Sequence, residues 1–503
     1  MGMLERFLHN LDMSTVLVSL VGFLSTYWLL QLYRKPRFPP GPMAWPLIGN
    51  MPQIFGKALH LALTSLGEQY GPLVWLKMGG ENVLVVNTID SAITSFVRQG
   101  RVFAGRPKQR KTVEVLLGKG KDIVMSDAGP DLKFHRKIVH SFLSSQTRGG
   151  KLHLENMIIF ETESLSDKLA KVCKKGESFD PKLDISRVVA NVLCMCILDR
   201  RFEDVDDAFL DQLNIIQDIV DNIESFNIVD VFPFLERFPI PSWRRFLDSL
   251  KRRDQWLSQV ISEHRETLSD NNRDLLDILL KEQQEARNEG DNERLALLSD
   301  VSIGHIVYEL FGGGIESTTM AILWFIIYMI RNPQWQKRIY EEIHSVSDQN
   351  TLPKPFDRSR YPVLEATIKE TLRMAAVLPV GFPHRTMEDT QLSGFHVPKD
   401  TMVLMNVWAI HHDEQAWHDP YYFNPGRFLD ECPGERYSYL PFGIGNRVCL
   451  GSSISKMEIF MYCACLLSKY ELTCPDGEPL PDVTGIPGLT LRPKPFKIKL
   501  IER

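Results

Sequence analysis

Cys449 stands in the run Phe442-Gly443-Ile444-Gly445-Asn446-Arg447-Val448-Cys449-Leu450-Gly451, one thiol in a glycine-rich loop with an arginine two residues before it. A thiolate needs surroundings that stabilise negative charge without consuming the sulfur. Glycines let backbone N–H groups come close, and the N-terminus of a following helix adds positive partial charge. A cysteine held in this way is an axial ligand for haem iron. The plain alternative is a structural cysteine buried beside a turn. A second constellation, Gly312-Gly313-Gly314-Ile315-Glu316-Ser317-Thr318-Thr319, lies inside a long helical pattern. Each interior glycine costs a helix roughly 1 kcal/mol against alanine, so three together mark a place where something must approach the backbone. A third, Glu370-Thr371-Leu372-Arg373, puts an acid and a base at i and i+3 on one helix face.

The spacing Phe-x-x-Gly-x-Arg-x-Cys-x-Gly resembles the haem-binding loop of the cytochrome P450 superfamily, and the resemblance covers nearly all of residues 39–503. It implies haem b, with Cys449 as the metal ligand and Phe442 beside it. It also implies a mainly α fold with small β-sheets (α+β), one large haem domain behind an N-terminal transmembrane helix. For the haem carboxylates it points to Arg106, in Phe103-Ala104-Gly105-Arg106-Pro107, and to Arg136, His384 and Arg447. Leu132 occupies the position where the family places a tryptophan, so an indole donor is missing. Glu316 and Ser317 match an acid–alcohol pair that delivers protons, with Thr318 as the alternative donor. The family's alcohol is usually threonine, and serine lacks the methyl that restrains χ1. Glu370, Arg373 and Arg427 match a buried ion-pair network that fixes the scaffold beneath the haem.

Within that superfamily the chain is most similar to the steroid 17α-hydroxylase/17,20-lyase branch. The similarity rests on Tyr361-Pro-Val-Leu-Glu-Ala-Thr-Ile-Lys-Glu370, on Asn406-Val-Trp-Ala-Ile-His-His412, on Gly485-Ile486-Pro487 and on the stretch around Asn222. It implies hydroxylation of a lipophilic substrate, a steroid at C17, with lyase activity left open. Asn222 would hold the oxygen at C3, and Gly313, Val377, Leu378 and Leu489 would line the pocket. Ala375-Ala376, in place of a more usual Arg-Pro, joins Leu132 and Ser317 among the departures. Aryl-hydrocarbon, xenobiotic or fatty-acid oxidation stays open, as does a reductase-independent isomerase or dehydratase. The acid–alcohol pair speaks against the last, because such chemistry needs no delivered protons. A haem sensor without catalysis is a further alternative.

The elements that must position these residues are legible in outline. The chain has 503 residues, 44% hydrophobic and 24% charged, with net charge −5, which gives no footing for nucleic-acid binding. Its eight cysteines show neither zinc-like pairs nor a disulfide framework, as in a reducing compartment. Residues 13–33 carry no charge and are long enough to span a bilayer. Arg34, Lys35 and Arg37 follow, which puts the body of the chain in the cytosol. The organisation expected is a lumenal N-terminus at 1–12, an anchor at 13–33, a basic and proline-rich hinge at 34–42 and a catalytic domain at 43–503. That corresponds to a single-pass protein of the endoplasmic reticulum membrane.

No flavin or nicotinamide motif is visible, so electrons must come from outside. The resemblance implies NADPH-cytochrome P450 reductase, with cytochrome b5 as a second candidate partner and Arg358 and Arg360 as candidate docking charges. Leu73–Leu76 and Val83–Val86 flank Gly79-Gly80 and predict a hairpin. Helical periodicity dominates from Asp90 to Val346, interrupted near Phe232–Pro241, and Lys281–Arg294 reads as a solvated helix end and loop. A long helix is predicted from Ser299 to Arg331, and short strands near 394–397, 402–406 and 489–501.

Overall fold

The computed structural model describes residues 38–503 apart from 108–109, 119–120, 149–150, 204, 224–227, 347–351 and 430–437, together with residues 18, 19, 21, 22, 25 and 26. The expected anchor lies outside the described residues except for those six, which are helical and exposed. The end of the proline-rich hinge is docked rather than free. Trp75 N donates to Pro40 O at 2.8 Å, and a Cβ on Gly41 would fall 1.9 Å from Trp75 O.

Helices carry the fold. Among those described are α1 (Leu59–Tyr70), α2 (Lys111–Leu117), α3 (Pro130–Arg148), α4 (Lys151–Lys175), α5 (Lys182–Leu198) and α6 (Asp207–Asn222). They continue with α7 (Pro241–Glu266), α8 (Leu275–Glu289), α9 (Asp300–Arg331), α10 (Pro333–Val346), α11 (Pro362–Ala375) and α12 (Ser452–Lys469). The centre of the molecule is α9. Ser299 caps it by accepting from Ser302 N at 3.2 Å, and the Asn332-Pro333 pair ends it. It is apolar almost all round because neighbours cover it, above all α5, then α12, α11 and α7. By length and composition it is the one described helix able to cross a membrane, but 78% of its most apolar window is buried, so it is a core helix.

A four-stranded sheet runs β1 (Leu73–Met78), β2 (Glu81–Val86), β6 (Met402–Met405), β3 (His384–Arg385) in spatial order. The hairpin is as expected, with Met78 opposite Glu81 across Gly79-Gly80. β2 and β6 are parallel and β6 and β3 antiparallel. Successive strand residues face opposite ways. Accordingly Leu73, Trp75, Leu84 and Val86 enter one apolar cluster, and Val74, Leu76, Val83 and Val85 enter another. Burial on both faces explains why these strands read as continuous apolar runs. Two small pairs, β4 (Thr390–Leu392) with β5 (Phe395–Val397) and β7 (Tyr470–Thr473) with β8 (Lys499–Glu502), complete the sheets. The polar stretch 281–294 holds the expected helix end, with a shorter loop than expected. α8 continues to Glu289, stops at Gly290 with φ +70°, and a short helix resumes at Asn292.

Candidate active site

The loop before α12 holds Cys449. Its backbone N donates to Phe442 O at 3.0 Å, which closes the loop on itself. Gly445 is required there: its φ is +75°, and a Cβ would fall 1.9 Å from Phe96 O. Because α12 begins at Ser452, the N–H groups of Gly451 and Ser452 hydrogen-bond the Cys449 sulfur. Cys449 is the one exposed cysteine among those described, although protein surrounds most directions about its sulfur. A residue on the wall of an internal space has both properties. Burial raises this thiol above its ordinary value, opposed by Gly451 N–H, the Arg136 charge, Ser452 N–H and the Lys456 charge. Such a thiol ionises fully when a metal cation takes the sulfur. Cys196 and Cys465, buried in the helical core, are pushed to about 12 and about 11 and are inert.

Arg106, Arg136, His384 and Arg447 are brought together around this loop. Arg136 Nη2 donates to Val448 O at 3.0 Å, next to the cysteine. Arg447 donates to the carbonyls of Ala104, Ile123 and Ser126, and Arg106 to those of Val124 and Pro383. His384 Nδ1 donates to Phe103 O at 2.8 Å. Burial, and then the charge of Arg447, lowers Arg106 to about 9. Burial, then Arg136, lowers Arg447 to about 10. Burial, then Arg106, holds His384 well below its usual value. Three guanidiniums that repel one another are donors of the kind two carboxylates require, and His384, whose Nδ1 proton is committed to Phe103 O, adds a donor from Nε2 when the ring is charged. Together with the exposed thiol, these residues fit haem. Leu132 is buried in the apolar core and supplies no donor.

On α9 the three glycines divide their tasks, which corrects the reading that all three make room for one group. Gly313 is exposed, with no atom within 4 Å of a Cβ placed on it. A Cβ on Gly314 would meet Leu193 Cδ1 of α5 at 2.6 Å, and one on Gly312 would meet Ile216 Cγ1 of α6 at 3.4 Å. Helix packing therefore requires glycine at 314, whereas the contact at 312 is one alanine could also make. Ser317 Oγ donates to Gly313 O at 2.8 Å, so the alcohol is tied to the exposed position. Glu316 is buried, its carboxyl raised by burial, and its Oε1 accepts from Thr490 Oγ1 at 3.0 Å. Thr318 does not fit the role of alternative proton donor. It is buried, and its hydroxyl donates to Ser455 Oγ of α12 at 3.1 Å, because it lies a further 100° round the helix.

The proposed pocket residues fall on neighbouring elements. Val377 O accepts from Leu491 N at 2.9 Å, which sets Val377 and Leu378 against the segment that carries Leu489. Asn222 is buried on the face of α6 that also carries Ile215, Ile216 and Ile219, and its Nδ2 donates back to Asp218 O at 2.8 Å.

Beneath the loop, Arg373 donates to both carboxyl oxygens of Glu370, at 2.8 and 2.9 Å, and Arg427 Nε donates to Oε1 at 3.1 Å. Asn424 N also donates to Oε1, at 2.9 Å. Glu370 and Arg373 are fully buried, and Trp417 lies under both guanidiniums, 5.0 Å from that of Arg373. Arg358, a candidate docking charge, is already paired within the chain. It forms a bidentate pair with Glu365 at 2.6 and 2.8 Å, and Arg360 stays exposed.

Several participants have no motif. Glu309 Oε2 accepts from Ile123 N at 3.0 Å and Val124 N at 3.2 Å. Burial, then the charge of Asp122 and a hydrogen bond with it, raises the Glu309 carboxyl well above its ordinary value. Loop 122–126 is therefore held by its N–H groups on Glu309 and by its carbonyls on Arg106 and Arg447. One signal for Glu309 was present in the sequence: it lies seven residues, two helical turns, before Glu316. Thr490 had none, and His411 stood within the run Asn406–His412 with no sign of its contacts.

Comparison with known proteins agrees with this geometry. The family model for cytochrome P450 matches residues 39–500. A chicken steroid 17-alpha-hydroxylase/17,20 lyase is 38% identical over 472 residues, 92% of this chain and 91% of the relative. Cytochrome P450 1A1 of the dog is 33% identical over 495 residues, 96% of this chain and 93% of the relative. A solved structure of a zebrafish cytochrome P450 with progesterone superposes with a TM-score of 0.78 at 33% identity, covering 88% of this chain and 99% of that one.

Proposed function

The chain belongs to the cytochrome P450 family and is a haem monooxygenase, and from that premise we propose that it hydroxylates a steroid at C17. The geometry contributes one observation above the rest: an exposed thiol, Cys449, at the N-terminus of α12 and ringed by Arg106, Arg136, His384 and Arg447. The steroid assignment is supported by the steroid 17-alpha-hydroxylase/17,20 lyase relatives, 38% identical in chicken and 36% in the catfish Ictalurus punctatus.

Haem b bound through the Cys449 sulfur supplies activation of O2 and insertion of one oxygen atom into a C–H bond. The overall change consumes two electrons and two protons and releases the second oxygen atom as water. The chain's own residues bind, orient and deliver. Arg106, Arg136, His384 and Arg447 hold the haem carboxylates. Glu316, its carboxyl raised by burial, gives its proton to the Ser317 hydroxyl as that hydroxyl passes its own proton on to the oxygen atom released as water; Ser317 is held for this by Gly313 O beside the exposed stretch of α9. Val377, Leu378 and Leu489 form apolar wall, and Asn222 holds the oxygen at C3 of the steroid.

Residues 13–33 anchor the protein in the endoplasmic reticulum membrane, 34–42 form the hinge, and 43–503 lie in the cytosol. Electrons come from NADPH-cytochrome P450 reductase, with cytochrome b5 as a second partner. The test is turnover of progesterone by the holoenzyme with added reductase, products identified by mass spectrometry. A C17-hydroxylated product supports the reading. Oxidation of a planar hydrocarbon or a fatty acid with no steroid product would overturn the substrate assignment and keep the monooxygenase.

A further inference from the structure

We propose that Thr490 is the positioning residue of the proton-delivering acid: its hydroxyl donates to Oε1 of Glu316 and thereby places the transferable proton on Oε2. This rests on the reading of Glu316 as that acid and deepens it. The distance is 3.0 Å, and both residues are buried. A carboxylic acid carries its proton on one oxygen only. A hydroxyl that donates to Oε1 favours Oε1 as the carbonyl-like acceptor and Oε2 as the O–H. Among the described residues no other hydrogen bond to the Glu316 carboxyl is present, so Thr490 alone sets this choice.

The segment around Thr490 is held too firmly for its hydroxyl to wander. Leu491 N donates to Val377 O at 2.9 Å, and Leu491 O accepts from Trp324 Nε1 at 2.8 Å. Ile486 and Arg492 exchange backbone hydrogen bonds at 2.7 and 3.0 Å. Arg492 Nη1 pairs with Asp221 at 3.0 Å at the end of α6. Thr490 is thus anchored on both sides, to α9, to the bend at Val377 and to α6. Preorganised groups of this kind reduce the cost of reaching productive geometry. The charges that act on Glu316 are Lys182, Arg492 and Asp221. Lys182 and Asp221 are exposed, so the acid sits just beneath the rim where α5, α6 and the C-terminal segment meet.

The test compares Thr490→Val, Thr490→Ser and the parent as resting ferric holoenzymes. Infrared spectroscopy follows the protonated-carboxyl C=O band of Glu316, assigned by its loss in Glu316→Gln. The band is expected to move to higher wavenumber in Thr490→Val, where the carbonyl loses its donor, and to return in Thr490→Ser. The ratio of peroxide released to product formed should rise roughly fivefold in Thr490→Val, about the weight of one hydrogen bond, and recover in Thr490→Ser. An unmoved band in Thr490→Val overturns the proposal, and so does a Thr490→Ser variant that behaves like Thr490→Val, since packing would then explain the effect. The infrared readout needs no substrate, so a wrong steroid assignment cannot imitate either result. Absence of any band lost in Glu316→Gln would instead sink the reading of Glu316 as a protonated acid.

Discussion

Arg373 and His411 exchange hydrogen bonds across 38 residues of chain. Arg373 Nη1 donates to His411 O at 2.6 Å, and His411 Nδ1 donates to Arg373 O at 3.1 Å. His411 Nε2 accepts from Leu440 N at 2.9 Å, which requires a neutral ring with its proton on Nδ1. Burial, then the charge of His412, holds this imidazole well below its usual value and keeps it neutral. The buried Glu370–Arg373 pair is thereby connected through one side chain to the residue two places before Phe442.

Removing one member of a buried ion pair typically costs about 3–5 kcal/mol because the other charge is left unpaired. Glu370→Ala is therefore expected to yield little haem-loaded protein, counted as haem per chain after purification. His411→Phe keeps a flat aromatic ring but removes the links to Arg373 O and Leu440 N. It should fold and lose haem faster than the parent on transfer to apomyoglobin. A fully loaded, equally stable Glu370→Ala would contradict the network's role.

Ser317 donates to Gly313 O as a threonine would, but without the methyl that restrains its rotamer. Ser317→Thr should lower the peroxide released per product formed, and Ser317→Ala should raise it by roughly a hundredfold, the lower end of the range for a lost proton transfer. Stopped NADPH oxidation assays with peroxide and product quantified together decide this. Equal ratios in all three proteins would remove Ser317 from the proton path.

If Asn222 holds the steroid oxygen at C3, Asn222→Ala should weaken binding of progesterone by about fivefold, the weight of one hydrogen bond. Binding of a planar hydrocarbon of similar size should be unchanged. Spectral titration of the holoenzyme reads both. Parallel losses would mean that Asn222 only supports α6, to which its amide is already bonded.

The Glu309 carboxyl is raised well above its ordinary 4.5, by burial first and Asp122 second. The folded protein therefore binds this proton more tightly than the unfolded chain. Its stabilising contribution is fully present below pH about 4.5 and is lost as pH rises through the folded value. Glu309→Gln, which keeps an acceptor for Ile123 N and Val124 N, should flatten the fall in Tm between pH 5 and 8. Glu458 and Glu316 carry the same sign and remain in both proteins, so the difference in slope reports Glu309 together with the Asp122 carboxyl hydrogen-bonded to it. Identical slopes would contradict the assignment.

Much of the site was legible because its signals are local. Gly79-Gly80 between two apolar runs specifies a hairpin, Ser299 and Asn332-Pro333 bound α9, and the spacing around Cys449 lies within ten residues. What stayed hidden depends on the tertiary fold. Thr490 meets Glu316 across 174 residues, and Glu309 meets Ile123 across 186, pairings no periodicity encodes. Thr318 and Ser317 look equivalent in the chain, and only the 100° turn between them sends one hydroxyl to Gly313 and the other to Ser455. The glycine run likewise read as one purpose, whereas Leu193 shows that Gly314 serves a neighbouring helix.

The central claim is that the Cys449 sulfur binds haem iron as a thiolate, and the absorption spectrum of the reduced, carbon monoxide-treated protein tests it most directly. The account predicts a Soret band at the long wavelength of thiolate ligation in the parent, absent in Cys449→Ala. A folded, haem-loaded parent whose Soret band lies at the shorter wavelength of neutral-ligand haem would contradict it.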